Sequence, residues 1–188
     1  MNIYIADIKN RKAYLYKKII LDFLFFLKER GIELDNIALE VCDDDLVEEL
    51  KTLNSRSDNM CEAVNDYYCQ LTYLGGKKTD FKKLNQLFLN VDNTNIAIII
   101  IGDMKTINLY GDAKGICAVI TNDNPKNIWH ETAHVFGAND HYEEDKSPSL
   151  YCTSNNCLMR YDNLDGELCD ASIEEVKSYI NESRYNQR

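Results

Sequence analysis

Apolar positions along the chain recur with two different spacings. Met1 to Ile8 alternates apolar and polar side chains and predicts a first strand. Arg11 to Arg30 carries Leu15, Ile19, Ile20, Phe23, Leu24 and Leu27 on one helical face, and Gly31 supplies the stop. Ile37 to Cys42 reads as a second strand, followed by an acidic helix from about Asp44 to Leu53. Residues 55 to 80 are polar and irregular, with a short helix around Cys61 to Leu71, and Phe81 to Asn90 is a further helix. Ile96 to Ile101 is unbroken apolar sequence, the mark of a strand buried on both faces. A weaker strand is predicted over Thr106 to Tyr110, a polar turn between Gly111 and Gly115, and a strand over Ile116 to Ile120. Asn124-Pro125 then opens a helix, Asn as the N-cap and Pro in the first helical position.

This order predicts an α/β (α+β) domain, a twisted mixed sheet packed on helices. The sequence shows no repeat, no low-complexity tract and no Pro-rich linker, with only two prolines in 188 residues. The expected unit is therefore a single domain over 1–188, with a sheet-and-helix part to about 123 and a second part over 124–188. A net charge of -10 argues against nucleic acid and an anionic membrane as partners and leaves basic or neutral ones open. The run Ile19 to Leu27 is too short to span a bilayer and contains Asp22. It lacks a small-residue cleavage site, so the expectation is a cytoplasmic chain, the alternative being a secreted form with its leader removed. Seven cysteines is an odd number, and Cys42 and Cys117 sit in apolar runs as small hydrophobes.

All three histidines lie within the thirteen residues HETAHVFGANDHY, His130 to Tyr142. His130-Glu131-x-x-His134 places two imidazoles one helical turn apart on the same face, where they can share a metal ion. Glu131 is on the same side and can act as general base on a metal-bound water. Gly137 follows three residues after His134, where the helix has to end and turn, and Asp140 three residues after that. A glycine in the left-handed region swings the chain back so that Asp140 faces the same metal. Cys157-Leu158-Met159-Arg160-Tyr161 lies downstream.

Together these motifs resemble the metzincin clan of zinc metallopeptidases. The HExxHxxGxxD run resembles snapalysin-type enzymes, and Cys152-x-x-x-x-Cys157-x-Met159 resembles archaemetzincins. The resemblance covers residues 95 to 161 in order of elements and is specific over 130–142 and 152–161; the first 90 residues match no motif. It implies an active-site helix at about 125–137, a methionine turn near Met159 and a C-terminal helix. It also implies zinc held by His130, His134 and Asp140, Glu131 as general base, Gly137 as the turning point and Met159 as the hydrophobic floor. Tyr161 either stabilises the oxyanion or simply packs. An edge strand above the active-site helix would bind a peptide or protein substrate in extended form, and residues from about Tyr110 to Ile116 occupy that place. The expected activity is that of a zinc-dependent endopeptidase.

Several alternatives stay open from the residues themselves. His141 is one position late and can replace Asp140 as ligand, pair with it, or point to solvent. Cys152 and Cys157 can form a disulfide, stay free thiols or contribute to a second metal site. Archaemetzincins complete such a site with a further CxxC, but here Cys169-Asp170-Ala171-Ser172 ends in Ser. Rival functions are a zincin of another clan, with Glu174 or Glu175 as third ligand, and a non-catalytic zinc-binding module. Side-chain selectivity is expected to lie in loops at Tyr142 to Tyr151 and Leu164 to Leu168. Glu143, Glu144 and Asp145 form either a basic-peptide preference or a solvated loop.

Overall fold

The computed structural model describes residues 1–9, 12–34, 37–75, 80–90, 96–106, 111–142, 152, 154–160 and 166–185. Its centre is a five-stranded sheet in the order β2-β1-β3-β5-β4. The strands are β1 (Asn2–Asp7), β2 (Ala38–Val41), β3 (Ile96–Ile101), β4 (Gly111–Lys114) and β5 (Cys117–Ile120). β2, β1, β3 and β5 run parallel, with Ile3 opposite Ala97 and Ile99 opposite Ala118; β4 returns antiparallel to β5 at the edge.

Helices cover both faces, which is why β3 and β5 are apolar at every position. α1 (Ala13–Glu29) and α5 (Pro125–Val135) lie on one face, where Ile3, Ile5, Ile99, Ile101, Ala118 and Ile120 point. α6 (Asp170–Tyr185) joins the same core through Ile173 and Val176. α2 (Asp44–Ser55), α3 (Met60–Thr72) and α4 (Lys82–Asn90) cover the other, against Ala6, Ile98, Ile100, Cys117 and Val119. Residues i and i+2 of β1, β3 and β5 thus serve one core and i+1 the other. No described helix is long and apolar enough to cross a membrane.

The expected helices and most expected strands appear within a few residues of their predicted limits. The region around Gly111 differs. The segment read as a polar turn is β4 itself, paired Asp112 to Val119 and Ala113 to Ala118. An edge strand can be polar because its backbone is satisfied by its single neighbour rather than by burial of its side chains. Of the strand expected over Thr106 to Tyr110, residues 107–110 lie outside the described residues, and Thr106 is not in a strand.

α5 is fixed to the core before it carries any chemistry. Asn124 caps it, its side chain accepting from the Lys126 N–H at 2.9 Å, and Pro125 starts it. Trp129 packs edge-on against Phe23 of α1 at 5.5 Å between centroids, and its indole N–H donates to the Ile19 carbonyl at 3.1 Å. Phe136 meets the same Phe23 ring at 6.0 Å.

Candidate metal centres

The end of α5 explains how Asp140 reaches the two histidines. The Gly137 N–H donates to the His134 carbonyl at 2.9 Å, and the Ala138 N–H to the Ala133 carbonyl at 3.1 Å. This pair of bonds is a Schellman turn, which needs a left-handed residue after the cap. Gly137 supplies it at φ 86°, and a Cβ there would lie 2.5 Å from the Cβ of Tyr179 on α6. The position is therefore closed to side chains twice over, by backbone conformation and by the approach of α6.

The turn brings the Ala138 carbonyl over the His134 ring, where it lies 2.8 Å from Nδ1. His130 Nδ1 lies 2.9 Å from the Leu158 carbonyl. Each carbonyl can only accept, so each Nδ1 carries its proton and each Nε2 is left to bind something else. The two Nε2 atoms lie 3.2 Å apart, and Asp140 Oδ1 lies 3.4 Å from each. Tetrahedral zinc at its usual 2.0–2.1 Å distances separates two such ligand atoms by about 3.3 Å. The three donors therefore fit one ion, and among the described residues no fourth donor joins them. Burial raises the Asp140 carboxyl, but the His130 and His134 rings, when protonated, outweigh it and hold the group well below the ordinary carboxylate range. A half-exposed carboxylate facing two imidazole nitrogens marks a place for positive charge. Glu131, next to His130 on α5, is only 5% exposed.

Below this site runs the turn that contains Met159. The Arg160 N–H donates to the Cys157 carbonyl at 3.2 Å, closing a tight turn, and Met159 is fully buried. A second segment lies along it: Leu158 N–H donates to the Glu167 carbonyl at 2.8 Å and Glu167 N–H to the Asn156 carbonyl at 3.0 Å. Gly166 is needed there because a Cβ would come within 2.6 Å of the Asn156 carbonyl oxygen. Tyr161, the loop residues 143–151 with Glu143, Glu144 and Asp145, and Leu164 lie outside the described residues.

His141 does none of the three things expected of it. Its side chain is fully buried, and Nδ1 lies 3.3 Å from Cys157 Sγ and 3.4 Å from Cys169 Sγ. Cys152 Sγ is 3.9 Å from Cys169 Sγ. His141, Cys152, Cys157 and Cys169 form a four-residue cluster that could hold a metal ion, as could His130, His134 and Asp140. Consecutive residues thus serve different centres: the chain passes from one to the other between Asp140 and His141. The cysteine expected at position 172 is not needed, because His141 and Cys152 complete the set. Ser172 is fully buried beside it, its hydroxyl 3.5 Å from Cys169 Sγ.

All seven cysteines are free, so Cys152 and Cys157 are not joined in a disulfide. Burial pushes the Cys157 thiol up to about 12 and also raises Cys152. Burial acts the same way on Cys169, but hydrogen bonds from Ser172 and the neighbouring thiols reverse it and lower that group. Glu175, weighed above as a ligand for the first centre, turns instead to Asn139 and His141. Sequence reasoning separated the members of this cluster because they stand at 141, 152, 157 and 169. The available signal was the crowding of three cysteines into the residues just after the last histidine.

Compared with known protein families and with curated proteins, the chain matches no family model and no curated protein.

Proposed function

We propose that this protein is a zinc-dependent endopeptidase. The observation that carries the reading is the convergence of His130 Nε2, His134 Nε2 and Asp140 Oδ1, with spacings of 3.2 to 3.4 Å, on the helix where Glu131 follows His130. Three protein donors, with no fourth among the described residues, suit catalysis, whereas structural zinc is normally enclosed by four. Zinc in this site supplies Lewis acidity toward a scissile carbonyl and makes a water molecule more acidic. His130, His134 and Asp140 would hold that ion, and Glu131 is the residue that would take up a proton and hand it to the leaving amine. The Leu158 and Ala138 carbonyls hold both imidazoles in the tautomer that presents Nε2.

β4 is the antiparallel edge of the sheet and packs on α5, the helix bearing both histidines. An extended peptide can add to that edge through its main chain, which places it alongside the metal ligands. The second cluster, with one His and three Cys, has the closed four-donor set of a structural zinc site.

The test is digestion of a diverse peptide mixture by the zinc-loaded protein beside Glu131→Ala, read by mass spectrometry. Internal cuts that disappear in the variant are expected. Zinc bound in full but no cuts, even in a proteome-wide digest, would reduce the protein to a metal-binding module.

A further inference from the structure

α6 turns one stripe of side chains toward the two centres. Ser172 lies against Cys169, Glu175 reaches the loop after α5, and Tyr179 sits against Gly137. These positions fall at i, i+3 and i+7 on the helix, a single face. Glu175 is the one member with a charge, and its carboxylate makes three contacts. Oε2 accepts from the Asn139 backbone N–H at 3.0 Å, and Oε1 from the Asn139 side-chain amide at 3.1 Å. Oε2 also lies 3.4 Å from His141 Nε2.

Asn139 precedes Asp140 and His141 follows it, so one carboxylate ties both neighbours of a ligand in the first centre. The same carboxylate accepts from the far nitrogen of His141, whose Nδ1 faces the thiols. A carboxylate in that position fixes the tautomer and orientation of a ligand imidazole and raises its basicity. We infer that Glu175 is a positioning residue for both centres at once, presenting Asp140 to one ion and the Nδ1 of His141 to the other. The part concerning Asp140 rests on the proposed zinc site of His130, His134 and Asp140; the part concerning His141 does not.

The test uses cobalt in place of zinc on the full chain, because thiolate ligands give cobalt intense charge-transfer absorption that a His/His/Asp site lacks. Wild type is compared with Glu175→Gln and with Glu174→Gln, a neighbour on the exposed side paired with Lys177. The amide in Glu175→Gln keeps the size of the side chain but must lose at least one acceptor, and circular dichroism reports whether the fold persists. Glu175→Asp, which keeps the charge but shortens the reach, provides a second variant. The expected result is a loss of roughly 10–100-fold in cobalt affinity at both sites for Glu175→Gln, measured by chelator competition, with Glu174→Gln unchanged. Unchanged affinity at both sites would overturn the inference. Weakening confined to the thiolate band would overturn the link to Asp140. A wild-type protein that takes up one ion, in the thiolate site alone, would instead sink the peptidase reading, and with it the claim on Asp140, leaving Glu175 judged by that band.

Discussion

His130 and His134 present Nε2 atoms 3.2 Å apart, each ring held from behind by a backbone carbonyl at 2.8 to 2.9 Å. The carbonyls come from different places: one from the turn of Met159, the other from the loop that the helix itself turns into. The metal-binding geometry is thus a joint product of α5 and the chain on either side of it. His134→Ala is expected to lower the zinc content of the purified protein from two ions to one, measured by elemental analysis, and to leave the thiolate cluster filled. Two ions retained would show that His134 is not a ligand.

Gly137→Ala is expected to damage both fold and site. The left-handed backbone costs an alanine about 1–2 kcal/mol, and the crowding against Tyr179 adds about 1–3 kcal/mol. For a chain of this size the sum lowers the melting temperature by roughly 5–20 °C. Calorimetry reads that loss. A variant as stable as wild type would mean that α6 yields freely at this point.

Metal uptake by the second cluster is expected to release protons. The Cys157 thiol stands at about 12 and Cys152 is raised above 9.0, so both hold their protons at neutral pH in the metal-free protein. Thiolates are the ligands, so at least these two protons must leave when zinc enters, and affinity rises with pH. Calorimetric titration in buffers of different ionisation enthalpy counts them. A count below two would place at least one of these thiols outside the metal's coordination.

Asp43 joins α2 to α4, accepting from the Leu46 N–H at 2.8 Å and from Lys83 Nζ at 2.6 Å. The Lys83 bond, followed by the helix N–H, lowers the Asp43 carboxyl below 3.8. A group depressed by folding stabilises the protein above its unfolded pKa, and that contribution fades as pH falls through the folded value. Wild type is therefore expected to lose stability more steeply than Asp43→Ala as pH falls below about 4. The variant should be weaker at neutral pH by about 0.5–2 kcal/mol, the usual cost of an N-cap. Denaturant melts across that pH range compare the two.

Much of this was legible beforehand wherever one local signal sufficed. The apolar stripe of α1, the Asn124-Pro125 start of α5 and the turn at Gly137 each rest on a few adjacent residues whose physics is local. β4 was hidden because Gly111 to Lys114 carries no strand propensity; its pairing comes from β5. His141 was misread for a related reason. Its partners arrive from the Met159 turn and from the start of α6, and spacing from Gly137 cannot foretell which way a buried ring faces. Glu175 was visible only as a rival ligand, since its real contacts lie 34 to 36 positions away.

Among the described residues β4 has four, and a chain that pairs with them is gripped over about 13 Å at the rise of an extended strand. The same shortness limits how well the edge can template pairing with other copies, since short edge strands are one of the ways sheets avoid stacking into aggregates. A brief edge can thus admit a guest segment while offering little purchase to a fibre.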